Sequence, residues 1–259
     1  MMPGATYQQT NMQAGGYIEA DLRGRLAVVT GASSGIGRAI AEELAARGAS
    51  LCLVGRRPEK LNVIAPRMDG GARKLVYKVD LEVDAGIERL PGDLLRDGAE
   101  VDILVHSAGI ILLGSTGNAP IADFDRQMNI NLRGPYRLTQ ALLPQLKSRR
   151  GQIVFINSSA GARAVPGSGA YSVSKHGLRG LADSLRGEIN GIVRVTSVFT
   201  GTTATPMQRS LHAAKGRAYA PENLIQPADV ASVVSHVLSL PQTVEVTEIH
   251  MRPAMSPCL

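Results

Sequence analysis

The sequence is poor in aromatic residues and in cysteine. It has no Trp, 3 Phe and 6 Tyr among 259 residues, so the core must be built from aliphatic side chains, which suits a buried parallel sheet. Its two cysteines, Cys52 and Cys258, imply no disulfide framework and favour a reducing compartment. We therefore expect a cytoplasmic location.

Long apolar runs are also missing. No run approaches the ~20 residues that a membrane-spanning helix requires, and residues 1–24 lack the basic start and apolar middle of a secretory signal. The formal net charge is +6, but the basic residues are spread over many segments, which is typical of a solvated basic surface. We predict a polar, mobile tail at 1–24 and no nucleic-acid or membrane partner.

Short β-branched runs alternate with longer helical patterns from residue 25 onward. Several early runs are apolar on both faces, which is typical of a parallel sheet covered by helices on each side. We therefore predict one α/β domain at 25–252, a single doubly wound, Rossmann-type and mostly parallel seven-stranded sheet flanked by helices, with a C-terminal tail at 253–259. Its strands are expected at 25–30, 49–54, 74–79, 101–106, 151–157, 192–199 and 243–251.

A glycine-rich turn follows the first predicted strand. In "TGASSGIGRAI", Gly31, Gly35 and Gly37 occupy the passage from strand to helix. Glycines let the backbone approach an anion, and the free N–H groups of the following helix favour a phosphate. The alternative is that the glycines serve only close packing of helix on strand. The position in a βαβ unit favours a dinucleotide site.

The end of the second strand indicates which dinucleotide is bound. "LCLVGRRPEK" has no carboxylate there for a ribose 2′-hydroxyl, but Arg56 and Arg57 suit a 2′-phosphate. NADP(H) is therefore favoured over NAD(H), with a solvated helix start as the alternative. After the third strand, Asp80 could accept the adenine amino group or cap the next helix.

A tyrosine and a lysine four residues apart are the strongest catalytic candidates. Tyr171 and Lys175 in "AYSVSK" share one helix face, where the ammonium could stabilise a phenolate. Ser158 follows the fifth strand, at the sheet edge where α/β proteins bind ligands. Asn131 interrupts an otherwise apolar helix. The five histidines show no metal-ligand spacing, so we predict no metal.

The order of these motifs resembles the short-chain dehydrogenase/reductase family over about residues 25–252. The resemblance rests on "TGASSGIG", "HSAG", "NLRG", "SSAG" and "YSVSK". It implies a catalytic set of Asn131, Ser158, Tyr171 and Lys175, in which the asparagine holds a proton-relay water. It also implies that the cofactor contacts Tyr171, Lys175 and a further set, namely Gly31, Ser33, Ser34, Ile36, Gly37, Arg56, Arg57, Asp80, Leu81, Ala108, Gly109, Thr203 and Thr205.

Two positions depart from the family pattern. Ser107 replaces an asparagine that normally braces the central sheet, and Thr200 replaces a proline after the sixth strand. We expect the first change to affect local stability and the second to leave the turn before Thr203 and Thr205 less rigid.

The resemblance implies hydride transfer between NADP(H) and a ketone, aldehyde or secondary alcohol, with Tyr171 as the general acid in reduction. Two alternatives stay open. One is a 3-hydroxy acid dehydrogenase, in which Arg163 or Arg209 would bind the substrate carboxylate. The other is a non-catalytic NADP(H)-binding sensor or scaffold. Family members pair the helices that correspond to 121–149 and 169–189, so a homodimer or homotetramer is expected.

Overall fold

The computed structural model describes residues 21–70 and 73–254. The predicted tail at 1–24 therefore lies outside the described residues except for its last four, and the C-terminal tail lies outside them from residue 255. Within the predicted tail, Leu22 is fully buried in the core and its N–H donates to Arg47 O at 2.9 Å. The packed structure thus begins before the first strand.

The described residues form one parallel sheet of seven strands in the order β3-β2-β1-β4-β5-β6-β7. Every neighbouring pair is parallel, so the predicted mostly parallel Rossmann-type sheet is confirmed. The strands are β1 (Leu26–Thr30), β2 (Ser50–Gly55), β3 (Lys74–Lys78), β4 (Ile103–His106), β5 (Gln152–Ser158), β6 (Arg194–Thr200) and β7 (Glu248–Met251).

The described ranges contain eight α-helices, six of which pack apolar side chains on the two faces of the sheet. One apolar cluster contains side chains of α1, α2 and α8, and the other contains side chains of α3, α5 and α6. None of these helices is both long and apolar enough to cross a membrane. The helices are α1 (Gly35–Ala46), α2 (Pro58–Ile64), α3 (Asp84–Arg96), α4 (Ile121–Met128), α5 (Gly134–Ser148), α6 (Gly169–Glu188), α7 (Pro206–Ala214) and α8 (Pro227–Ser239).

The strand order of the sheet determines where a ligand-binding crevice lies. The chain runs outward from β1 to β2 and β3, then returns to β4 on the other side of β1. The connections after β1 and β4 therefore diverge to opposite faces and leave a crevice at the carboxyl ends of the strands, which is where open α/β sheets bind ligands.

Candidate active site

A cleft of about 260 Å³ lies at this crevice. Residues from the glycine-rich turn, the ends of β2 and β3, the segment after β4 and the start of α7 line it together. Of the residues predicted to contact a cofactor, the lining contains Gly31, Ser33, Ser34, Ile36, Gly37, Arg56, Arg57, Asp80, Leu81, Ala108, Gly109 and Thr205.

The glycines of the turn are required by close packing. Gly31 has a φ of 70°, and a Cβ there would lie 2.8 Å from the backbone of Ala108. A Cβ on Gly37 would lie 2.6 Å from Gly31 O. Because real Cβ atoms do not approach so closely, larger residues would separate β1, β4 and α1. Close packing of helix on strand therefore explains why Gly31 and Gly37 are glycines. The cleft beside them supports the other interpretation, that the turn binds a dinucleotide.

Helix α1 begins at this cleft with an uncompensated positive end. Its N-cap Ser34 makes no side-chain capping hydrogen bond, and its first turn contains no acidic residue. The N–H groups of the first turn have no partner within the helix. Together with the glycine turn they suit an anionic group such as a pyrophosphate.

A threonine performs the bracing that Ser107 was expected to weaken. Thr30 Oγ1, at the end of β1, accepts hydrogen bonds from the N–H groups of Ser107 at 3.0 Å and Ala108 at 3.1 Å. The same hydroxyl donates to Val105 O at 3.3 Å. The link between β1 and the end of β4 therefore depends on Thr30, which sequence analysis did not identify.

Three threonine side chains make hydrogen bonds at the end of β6 and in the segment after it. Thr200 continues the strand, and its hydroxyl donates to Asn157 O at 3.3 Å. Thr205 is the N-cap of α7, and its Oγ1 accepts from Gln208 N at 3.3 Å. Thr203 is buried, donates its hydroxyl to Gly201 O at 3.1 Å and is not part of the cleft lining. Only Thr205 of the two predicted threonines borders the cleft.

A π-helical segment interrupts the long helix between α4 and α5. It spans Asn129–Arg133 and places Asn131 at zero solvent exposure. The Asn131 amide accepts from Ile110 N at 2.8 Å and donates to Ile110 O at 2.9 Å and to Ser174 Oγ at 3.0 Å. Because π segments are rare and often lie at functional sites, this interruption marks the site independently of the motif.

Tyr171 and Lys175 lie on the first turns of α6, below the carboxyl end of β5. The Lys175 Nζ is 5.9 Å from the centre of the Tyr171 ring and donates to Ile156 O at 3.0 Å. The Ser158 side chain lies close enough to the Tyr171 hydroxyl to affect its pKa. A Cβ on Gly109, in the cleft lining, would lie 3.8 Å from Lys175 Nζ and 3.3 Å from Asn131 Oδ1. Asn131 and Lys175 therefore lie beside the Gly109 end of the cleft, and Tyr171 and Ser158 lie near Lys175, but none of the four predicted catalytic residues is part of the cleft lining.

The electrostatics of this group differ from the expected ones. Burial raises the pKa of Tyr171, and the Ser158 hydrogen bond only partly opposes it. Burial lowers the pKa of Lys175 to about 8. In this arrangement desolvation sets the direction of both pKa shifts, and the ammonium donates to the Ile156 carbonyl; that Lys175 stabilises the Tyr171 phenolate stays a prediction.

Two further side chains position the catalytic group and were missed by sequence analysis. The buried Asn157 accepts from Ser158 N at 2.8 Å and donates to Lys175 O at 3.2 Å, which ties β5 to α6. Ser174 Oγ donates to Tyr171 O at 2.8 Å and accepts from Asn131. Ser174 stands within the quoted motif "YSVSK" and Asn157 directly precedes "SSAG", but a single sequence gives no reason to separate them from their neighbours.

Comparisons with known proteins agree with this geometry. A family model described as short chain dehydrogenase matches residues 25–216. An uncharacterized oxidoreductase of Staphylococcus epidermidis is 32% identical over 90% of this chain and 99% of its own length. An NADP-dependent 3-hydroxy acid dehydrogenase of Salmonella typhi is 29% identical over 88% of this chain and 94% of its own. The structure of an alcohol dehydrogenase from Thermococcus sibiricus, complexed with 5-hydroxy-NADP, superposes with a TM-score of 0.82 at 28% identity, covering 91% of this chain and 99% of that one.

The chain belongs to the short-chain dehydrogenase family, and it is an oxidoreductase. The predicted family and enzyme class are thereby confirmed. The roles of the individual site residues are proposals that rest on the geometry above.

Proposed function

We propose that the protein is an NADP(H)-dependent oxidoreductase that interconverts a ketone or aldehyde and its alcohol. The observation that carries this proposal is the proximity of Ser158, Tyr171 and Lys175 beside Gly109, which lines a cleft that also contains Arg56 and Arg57. The names of the Salmonella typhi relative and the Thermococcus sibiricus structure support NADP(H) as the cofactor.

The cleft fits such a cofactor along its length. The α1 N-terminus and the glycine turn would hold the pyrophosphate, and the two arginines would hold the adenosine 2′-phosphate. Asp80 and Leu81, which follow β3, also line the cleft. When bound, the nicotinamide supplies a hydride to the carbonyl carbon or accepts one from the alcohol.

Side chains of this protein would supply the proton that the substrate oxygen receives during reduction. The Ser158 side chain lies close to the Tyr171 hydroxyl, so both hydroxyls could donate to one substrate oxygen, which gains negative charge during reduction. The raised pKa of Tyr171 keeps the phenol protonated and ready to act as the general acid. Lys175 adds a positive charge beside the phenolate that remains, and it would also bind the nicotinamide ribose.

A 3-hydroxy acid is the second candidate substrate, because a relative of that name is 29% identical. On α7, the Arg209 Cζ lies 5.4 Å from the centre of the Tyr219 ring. In the sequence, Arg209 follows Met207, which lines the cleft, by two residues. Of the two arginines considered, this one is therefore the better candidate to bind a substrate carboxylate.

The proposed function is tested by the oxidation of NADPH in the presence of neutral ketones, neutral aldehydes and 3-oxo acids, with the matching alcohols in the reverse direction. Turnover of any carbonyl group supports the oxidoreductase, and preference for 3-oxo acids identifies the second candidate. NADPH binding without turnover of any compound would favour the sensor or scaffold instead.

We expect Arg56→Ala to remove most of the preference for NADPH. A guanidinium bound to a 2′-phosphate contributes roughly 1.5–3 kcal/mol, which is about 10- to 150-fold in affinity. NADH has no phosphate at this position, so its affinity should stay unchanged. Fluorescence titration of both cofactors measures the ratio, and Arg57→Ala shows whether the neighbouring arginine shares the effect. A preference that survives removal of both arginines would contradict this assignment.

We also propose that the protein is a homo-oligomer that associates through α4, α5 and α6. Large apolar side chains are exposed on each of these helices, namely Ile121 at 73%, Tyr136 at 51% and Val173 at 51%. We expect sedimentation as a dimer or tetramer at micromolar concentration and partial dissociation by Tyr136→Glu. Val63→Glu, at an equally exposed site on α2, is the matched control. A monomeric wild type would contradict the proposal.

A cytoplasmic location remains a prediction. Cys52 is buried and free, and Cys258 lies outside the described residues. Neither observation tests the compartment.

A further inference from the structure

A carboxylate stands between two arginines beside the cleft. Glu82 Oε2 lies 3.8 Å from Arg56 Nη1 and 3.8 Å from Arg126 Nε. Arg56 belongs to the cleft lining, whereas Glu82 and Arg126 do not. The three residues come from different parts of the chain: the end of β2, the connection after β3, and α4. The three residues thus form a row of contacts, Arg56–Glu82–Arg126, in which only Arg56 lines the cleft.

This row is held by charge and not by hydrogen bonds. At 3.8 Å neither guanidinium is within hydrogen-bonding distance of the carboxylate. Elsewhere in the same protein, Arg133 binds Asp84 through two hydrogen bonds of 2.8 and 2.6 Å. A pair of that kind would hold Arg56 away from a ligand. The looser contact with Glu82 lets Arg56 turn towards a phosphate at little cost.

The position of Glu82 is fixed relative to the cleft. Its N–H donates to Asp80 Oδ1 at 3.1 Å, and Asp80 lines the cleft. The Glu82 side chain is only 27% exposed, less than that of Arg56 at 44% or Arg126 at 48%. Glu82 is therefore the most buried member of the row, and its negative charge lies near any anion that Arg56 binds.

We propose that Glu82 and Arg126 set the strength with which Arg56 binds the 2′-phosphate of the cofactor. This inference rests on the proposed function, since it concerns the same cleft. Glu82 competes with the phosphate for the Arg56 guanidinium and repels the phosphate directly, so it weakens binding. Arg126, which is not part of the cleft lining, neutralises Glu82, so it strengthens binding without touching the cofactor. Both are positioning residues that act through Arg56.

The size of the effect follows from the exposure of the three side chains. Partly exposed ion pairs are worth little in water, so each single change should alter affinity by about two- to five-fold. The two changes have opposite signs. Glu82→Gln is expected to raise the affinity for NADPH, and Arg126→Gln is expected to lower it, while neither alters the affinity for NADH, which lacks the phosphate.

The test is a double-mutant cycle measured by binding, without substrate. NADPH, NADH, 2′-AMP and 5′-AMP are titrated by calorimetry or fluorescence into wild type, Glu82→Gln, Arg126→Gln and the double variant. In the Glu82→Gln background, Arg126→Gln should no longer lower the affinity for NADPH or 2′-AMP, because the charge that Arg126 neutralises is gone. Both single effects should shrink at high salt.

A matched control separates a local contact from a change in net charge. Glu42→Gln also removes one carboxylate from a surface ion pair, with Arg38 on α1, but Glu42 does not line the cleft. Glu42→Gln should leave the NADPH to NADH ratio unchanged. If Glu42→Gln raised the NADPH to NADH affinity ratio as much as Glu82→Gln does, the inference would be overturned.

The remaining outcomes distinguish this inference from the proposed function. If wild type binds NADPH more tightly than NADH and Glu82→Gln leaves the ratio unchanged, the inference is wrong and the proposed function stands. If Arg126→Gln lowers the affinity equally with and without Glu82, Arg126 acts independently and the inference is also wrong. If wild type binds neither cofactor nor 2′-AMP, both proposals are overturned.

Discussion

Tyr171→Phe is expected to lower the kcat of carbonyl reduction by about 100- to 10,000-fold, the usual contribution of a positioned general acid. The change removes one hydroxyl and leaves the ring, so the packing of α6 against β5 should persist. Affinity for NADPH should stay within a few-fold of wild type, because the Arg56 end of the cleft is untouched. Single-turnover reduction and cofactor titration measure the two effects separately.

Tyr136→Phe is the control for this change. It deletes the same hydroxyl from an exposed tyrosine on α5, and its turnover should equal that of wild type. Near-normal turnover in Tyr171→Phe would show that another group supplies the proton. A large loss of NADPH affinity in Tyr171→Phe would instead show that the phenol mainly binds the cofactor.

The sheet could be predicted from the sequence because its strands are short apolar runs separated by helical patterns. All seven predicted strands are present, with ends that differ by a few residues. The largest difference is in β7, which was expected from residue 243 and begins at Glu248. In the run "TVEVT" polar and apolar residues alternate as they do in a strand. Alternation alone does not provide a pairing partner, and on its β7 side β6 pairs with residues from Glu248 onward.

The candidate site was predictable where spacing along one element determines contact. Tyr171 and Lys175 are four residues apart, so one helix brings them together. The glycine turn and the arginines were likewise placed by the order of strands. Hydrogen bonds between distant elements were not predictable, such as those of Asn157 and Thr30, because a single sequence contains no record of which polar side chains face each other across a fold.

Burial was the second property that the sequence did not contain. Proximity in a helix suggested that Lys175 would lower the pKa of Tyr171. The structure shows Lys175 at 5% exposure with its Nζ bonded to a main-chain carbonyl, and desolvation then decides the direction of both shifts. The charge row of Glu82, Arg56 and Arg126 was missed for a related reason, since its members are far apart in sequence.

Lys175→Met is expected to lower both kcat for reduction and the affinity for NADPH. Methionine has a similar length without charge, so the phenolate left by proton transfer loses its nearest cation, and we expect a loss of about 100-fold in kcat. The affinity should fall by at least about 10-fold if the ammonium also binds the nicotinamide ribose. Unchanged NADPH affinity would remove that second role.

In wild type, kcat/KM for reduction should decline above about pH 8, where Lys175 loses its proton, and the Lys175→Met variant should lack this decline.

The same substitution should stabilise the fold at neutral pH. The Lys175 pKa falls from 10.5 to about 8 on burial, so between these values the unfolded chain binds more protons and the free energy of unfolding rises with pH. Below pH 8 the buried ammonium costs the folded state roughly 3 kcal/mol, offset in part by its hydrogen bond to Ile156 O. Lys175→Met should therefore raise the Tm by a few degrees at pH 7 and show little gain near pH 11, where the lysine is neutral in both states.

A variant that is less stable than wild type at pH 7 would mean that the hydrogen bond outweighs the desolvation cost. A gain in stability together with lost turnover would show that this lysine is kept in place at the expense of the fold.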